Sequence, residues 1–133
     1  MRVIDSTILA SFLRKESGWE RIASLIMNSL SVDLIVKEVL NVLWKDYSLR
    51  RIIDRETVAE LYKIMKSLVN VNIILEPEDK YVDDAFKIAL NTKITVYDAL
   101  YIAQAKRNNL ELLTLDNKQK EAAESVGVKV VTL

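Results

Sequence analysis

Thr95-Val96-Tyr97-Asp98-Ala99-Leu100-Tyr101-Ile102-Ala103-Gln104-Ala105-Lys106 is the stretch around which the rest of the chain is organised. Val96, Ala99, Leu100 and Ala103 recur at the three-four spacing of a buried helix face. Thr95 suits the N-cap of that helix. Asp98 then falls third, among free backbone N–H groups and at the positive end of the helix dipole. Taken alone, Asp98 is explained as the acid of a capping box. Three other acids, Asp5, Glu38 and Asp116, occupy equivalent places, where an apolar strand ends or a helix begins.

Working outward in both directions, short apolar strands alternate with helices. Val3-Ile4 is an apolar run ending at Asp5, and Ser6-Thr7 open a helical pattern that fades near Gly18. A second helix is predicted from Trp19 to Leu30, with Ser31 to Val36 as a short strand or a helix entry. Val36 to about Leu49 reads as a helix with Glu38 in its first turn. Asp54 reads as the N-cap of a long helix to about Val69. Val71 to Leu75 is a strand, and Glu76-Pro77 turns the chain into a helix from Glu78 to Asn91. The Thr95 helix runs to about Asn108. Leu110 to Leu115 is a strand ending at Asp116, and Asn117 to Val126 is a helix stopped by Gly127 as its C′ residue. Val128 to Thr132 is the last strand. The pattern predicts a three-layer α/β/α domain with a short-stranded parallel sheet, as one domain over residues 1–133. In such sheets a ligand binds beyond the carboxyl ends of the strands, where Asp5 and Asp116 fall.

The composition removes whole classes of chemistry. The chain has no histidine and no cysteine, which excludes histidine-based triads, histidine general bases, disulfides and thiolate metal sites. Carboxylates, hydroxyls, Lys, Tyr or a bound metal must do whatever chemistry occurs. Lys plus Arg and Asp plus Glu both number 19, so net charge argues for no nucleic-acid partner and only local basic patches count. No apolar run approaches the ~18 residues of a membrane helix, and Asp5 interrupts the first one, so a soluble cytoplasmic protein is expected.

Each of the four acids has a plain local explanation. Asp5 caps the first helix, Glu38 suits the helix dipole, and Asp116 with Gln119 forms a D-x-x-Q cap. Together they occupy junctions that a parallel sheet brings to one edge. Four carboxylates at one edge repel one another unless a cation binds. Mg²⁺ or Mn²⁺ takes all-oxygen ligands and can activate water for phosphoryl chemistry without histidine. Tyr97 and Tyr101 read as core packing. Arg14-Lys15, Lys45, Arg50-Arg51 and Lys106-Arg107 read as solvated helix faces or as contacts to nucleic-acid phosphates.

Five pieces, Val3–Thr7 (VIDST), Val36–Leu43 (VKEVLNVL), Thr95–Ala105 (TVYDALYIAQA), Leu112–Asp116 (LLTLD) and Ala122–Val130 (AAESVGVKV), resemble PIN-domain ribonucleases. The resemblance is strongest to the VapC toxins of VapBC toxin–antitoxin pairs. It implies that Asp5, Glu38, Asp98 and Asp116 are a metal-binding acidic quartet, and that Ser6 or Thr7, with Thr114, orient those acids or a bound water. It implies a Mg²⁺- or Mn²⁺-dependent endoribonuclease, a homodimer and an inhibitory antitoxin. The apolar residues of the helices Trp19–Leu30 and Val36–Leu49 suit such contacts and suit core burial equally well. Thr7 stands where the family often has Asn, and Asn117-Lys118-Gln119 lack a further acid that some members carry. Two rival classes are a catalytically inactive interaction module and a phosphoryl-transfer domain with a strand-end Asp. The latter lacks a second Asp two residues after Asp5, where Thr7 stands, and the paired acids of a receiver domain.

Overall fold

Val3 and Ile4 are wholly buried and carry the centre of a four-stranded parallel sheet. The computed structural model describes all residues from Met1 to Leu133. Its elements in chain order are β1 (Arg2–Ile4), α1 (Ser6–Leu13), α2 (Trp19–Ile26), β2 (Ser29–Val32), α3 (Leu34–Ser48) and α4 (Arg55–Leu68). Then come β3 (Ile73–Glu76), a 3₁₀ turn (Glu78–Tyr81), α5 (Val82–Thr92), α6 (Val96–Arg107), β4 (Leu112–Leu113) and α7 (Asn117–Ser125).

The strand order is β3-β2-β1-β4, with every pair parallel. The chain steps outward from β1 to β2 to β3, then returns to the other side of β1 as β4. The direction of winding therefore reverses between β1 and β4. A crevice opens at such a switch point, beyond the carboxyl ends of the strands. Helices α1 to α4 pack on one another, as do α5, α6 and α7, and both α2 and α6 lie against β1. This is the helix–sheet–helix layering expected of a sheet whose strands are apolar on both faces. No helix is long and apolar enough to cross a membrane.

Several expected boundaries differ: β3 starts at Ile73 rather than Val71, β4 keeps only Leu112–Leu113, and Glu78–Tyr81 is a 3₁₀ turn ahead of α5. Three further differences have a clear physical reason. The helix predicted to run to Leu30 ends at Ile26, because Ser29, Leu30, Ser31 and Val32 form β2. Its serines look polar in sequence but are buried, each satisfied by a backbone carbonyl: Ser29 donates to Ile26 and Ser31 to Ile4, at 2.9 and 2.8 Å. Helix α3 consequently starts at Leu34, and Glu38 is its fifth residue rather than a first-turn acid. The final strand shrinks to one bridge, Leu112 to Val130, held by Leu112 N–H to Lys129 O and Val131 N–H to Leu112 O, both 2.9 Å. The caps are as expected. Asp54 accepts from Thr57 N–H at 2.8 Å, Thr95 caps α6, and Gly127 follows α7 at φ +85°.

Candidate functional site

Asp5 is the first residue after β1 and the N-cap of α1, an extended position that turns its carboxylate back over the helix start. Its Oδ1 accepts from the Ile8 N–H at 3.3 Å and from the Thr7 hydroxyl at 2.6 Å, while Oδ2 accepts from the Thr114 hydroxyl. Thr114 follows β4, so this hydroxyl ties the two strand ends across the switch point. Thr7 and Thr114 also accept, from the N–H groups of Leu115 at 3.0 Å and Asp116 at 3.1 Å, which folds the β4–α7 loop onto α1. Asp5 is 1% exposed. Burial pushes its carboxyl up from the usual 3.8 to about 6; the hydroxyls of Thr114 and Thr7 and the Ile8 N–H oppose this, and the charge of Asp98 adds to it.

Asp116 is the N-cap of α7, and its Oδ1 takes both capping bonds, from Lys118 N–H at 2.9 Å and Gln119 N–H at 3.3 Å. The Gln119 side chain is buried and donates to the Asp98 carbonyl at 3.0 Å, holding the first turn of α6 against α7. Asp98 is half-buried, and its N–H donates to Thr95 Oγ1 at 3.2 Å. Burial raises its carboxyl above the usual range, as do the charges of Asp116 and Glu38, with Thr95 opposing. Glu38, also half-buried, accepts from the Tyr101 hydroxyl at 2.6 Å. Tyr101 is 1% exposed, and burial first, then Glu38, push its phenol above its usual range.

The four acids are thus near enough for the charge of one to raise the carboxyl of another: Asp98 that of Asp5, and Glu38 and Asp116 that of Asp98. None of them meets a cation. The four ion pairs of the molecule are Arg14–Asp46, Arg50–Asp46, Lys37–Glu78 and Lys80–Glu76. No group of three or more acids is drawn together closely enough to hold a metal ion as it stands. Carboxylates without a shared cation repel. The donor chemistry nevertheless fits a hard divalent cation: all-oxygen donors, one of them buried without countercharge.

Thr7 and Thr114 both bond to Asp5, whereas Ser6 instead approaches the Tyr101 oxygen. Tyr97 is 61% exposed and not a core residue. Arg14 and Arg50 are not free surface cations, because both grip Asp46. Tyr101 and Gln119 reach the site in ways the sequence reading had not assigned. The signal for Tyr101 was its spacing, three residues after Asp98 and therefore on the same helix face.

Residues 2–125 match the family described as PIN domain. Ribonuclease VapC3 of Pyrobaculum aerophilum is 36% identical over 128 residues, spanning 90% of this chain and 92% of that protein. Among solved structures, Mycobacterium tuberculosis VapC20, a sarcin–ricin loop cleaving toxin, superposes with a TM-score of 0.69 at 12% identity, covering 100% of both chains. A toxin–antitoxin complex from Klebsiella pneumoniae gives 0.67 at 17%, covering 99% of this chain and 97% of that one. At these identities the two structures speak for the fold alone.

Proposed function

The chain belongs to the PIN-domain family, and on that premise we propose that it is a divalent-metal-dependent endoribonuclease, the toxin of a toxin–antitoxin pair, built as one domain over its whole length. The observation that carries this reading is the Asp5 carboxylate, buried at the switch point of the sheet among three further acids and no cation. Family membership also sets aside the phosphoryl-transfer alternative.

The hydrogen bonding supports the same reading. Asp5 Oδ1 has two donors, which use both of its lone pairs, while Oδ2 has only Thr114. Asp116 spends Oδ1 on its cap and Glu38 spends Oε1 on Tyr101. Asp116 and Glu38 are therefore each held by one oxygen and keep the other open, while Asp5 is held by both and keeps capacity on Oδ2. Asp5, Glu38, Asp98 and Asp116 are the residues that would hold Mg²⁺ or Mn²⁺. Such an ion, when bound, neutralises charge on the phosphodiester and activates water at neutral pH without histidine. Thr7 and Thr114 fix the Asp5 carboxylate between two strand ends. Gln119 keeps the Asp98 turn in register with the Asp116 cap.

Two surfaces fit the expected partners. Between α3 and α4 lies a groove of about 610 Å³, lined by Leu40, Leu43, Trp44, Tyr47, Val58 and Tyr62. Trp44 is 51% and Tyr62 42% exposed, and the groove suits the apolar face of an antitoxin helix. Helix α2 contributes less than the sequence suggested, since Ile22 and Ile26 are core residues. Val82, Phe86 and Leu90 form an exposed stripe one turn apart along α5, which suits a homodimer contact. A cytoplasmic location goes with RNA as substrate.

The test is direct. Purified protein is expected to cleave RNA in Mg²⁺ or Mn²⁺ and to stop in EDTA. Undiminished cleavage in EDTA by highly purified protein overturns the metal dependence.

A further inference from the structure

We infer that Tyr101 is a positioning residue for Glu38: its buried hydroxyl selects the rotamer that aims the glutamate at the other three acids. The inference rests on the metal-site reading above and deepens it.

Glu38 faces a different problem from its neighbours. Asp5 and Asp116 are short side chains held by their own caps, so backbone geometry sets where their oxygens lie. Glu38 sits within α3 and caps nothing. It has one more rotatable bond than an aspartate, and no cation restrains it. Its hydrogen bond within the protein comes from Tyr101, at 2.6 Å. Tyr101 can act as a fixed post because its ring is immobilised at 1% exposure. It stands three residues after Asp98 on α6, so one helix face carries both Asp98 and the hydroxyl that holds Glu38. The bond takes Oε1 and leaves Oε2 for a ligand. Packing alone asks for the ring; the hydroxyl has this separate task.

The molecule contains its own control. Tyr81 is equally buried, at 0% exposure, and donates to Glu76 Oε1 at 2.5 Å. Glu76, however, is also held by Lys80 at 2.8 Å and Gln104 at 3.0 Å and is none of the four acids. Removing either phenolic oxygen takes one part-buried tyrosine–glutamate bond from the fold, together with an Asn108 bond in the case of Tyr81, and only the Tyr101 bond involves one of the four acids.

The experiment is calorimetric Mn²⁺ titration of the parent, Tyr101→Phe, Tyr81→Phe, Glu38→Gln and the Glu38→Gln/Tyr101→Phe double variant, each confirmed folded by circular dichroism in EDTA. Groups that orient a metal ligand typically change affinity about 10- to 100-fold when lost. Tyr101→Phe is expected to weaken Mn²⁺ by at least about tenfold, with Tyr81→Phe at the parent's affinity. The double variant is expected to bind no more weakly than Glu38→Gln, because Tyr101 acts through Glu38. Parental affinity in Tyr101→Phe, equal weakening in Tyr81→Phe, or a further full loss in the double variant overturns the assignment while the metal site stands. A parent that binds no Mn²⁺ overturns the metal site itself, and the inference with it.

Discussion

The two ends of α1 meet two buried aspartates that ionise in opposite directions. At the N-terminus stands Asp5; at the C-terminus Arg14, the C-cap residue, reaches Asp46 on α3. Both aspartates are 1% exposed. Asp46 receives Arg14 Nε at 2.9 Å, Arg14 Nη2 at 2.7 Å and Arg50 Nη1 at 2.8 Å. The Arg14 hydrogen bonds hold its carboxyl below the usual range, burial notwithstanding, with Arg50 assisting. Asp5 receives two hydroxyls and an N–H and sits above that range. Both are closed off from solvent, but Asp5 is packed far more deeply than Asp46, so depth of burial and countercharge together set the difference. At Asp46 the chain supplies its own cations; at Asp5 it supplies further acids. The first arrangement is complete within the fold; for the second, a cation from outside is the completion we propose.

The largest expected effect comes from Asp5→Asn, which neutralises one end and leaves the other alone. Asparagine is as good an N-cap as aspartate, so α1 keeps its start. Cleavage of RNA in Mg²⁺ is expected to fall by about 10³-fold or more, in line with the several kcal/mol that a metal contributes to charge stabilisation. An activity loss under about tenfold would place Asp5 outside the site.

The pH dependence of the metal-free protein separates the two ends without mutation. With a folded-state value of about 6 against the usual 3.8, native Asp5 keeps its proton to higher pH than the unfolded chain does. The stability this gives is full below about pH 4 and is lost as pH rises through 6, a change of ~3 kcal/mol for a fully buried group. Asp46 runs the other way: its lowered value gives stability above the usual carboxylate range that is lost as pH falls through its folded value. In EDTA, Asp5→Asn is expected to gain on the parent steadily from pH 4 to 7 in denaturant melts. A constant difference across that range contradicts the account of Asp5.

Asp46→Asn should act on stability alone. Breaking a fully buried ion pair costs about 3–5 kcal/mol, but Arg14 and Arg50 are 29% and 51% exposed and can turn to water, so a loss of about 2 kcal/mol is expected. The Mn²⁺ affinity of the folded variant should match the parent's. Arg14→Lys, which loses the two-pronged grip but keeps the charge, should cost about 1 kcal/mol by urea melting and leave cleavage unchanged. A larger fall in Mn²⁺ affinity than in stability, in either variant, would show that the two ends of α1 are coupled.

The two ends were unequally legible in the sequence. At the Asp5 end, Asp5 and Asp116 fall at element junctions, where strand and helix periodicities change, whereas Glu38 lies a turn deeper in its helix than its sequence suggested. The parallel sheet followed from the same alternation. The Asp46 end could not be read this way: Asp46 lies inside a helix, and Arg14 and Arg50 look like any solvated cations until the α1–α3 packing brings them together. β2 was obscured because Ser29 and Ser31 are buried polar residues whose satisfaction depends on backbone partners, one of them in another strand. Tyr101 was read as core, correctly for its ring; its hydroxyl bond to Glu38 spans 63 positions, beyond the reach of local periodicity.

The most direct test of the claim that Asp5 marks a carboxylate cluster awaiting a cation is thermal melting of the parent and Asp5→Asn near pH 7.5, first in EDTA and then in excess Mn²⁺. A cation that binds only the folded state stabilises it by mass action, by about 2.7 kcal/mol at a hundredfold excess over Kd. The account predicts that Mn²⁺ raises the parent's melting temperature by several degrees. It predicts a much smaller rise for Asp5→Asn, which in EDTA is as stable as the parent or more so. An Asp5→Asn protein that is less stable than the parent in EDTA, yet gains as much from Mn²⁺, would contradict it.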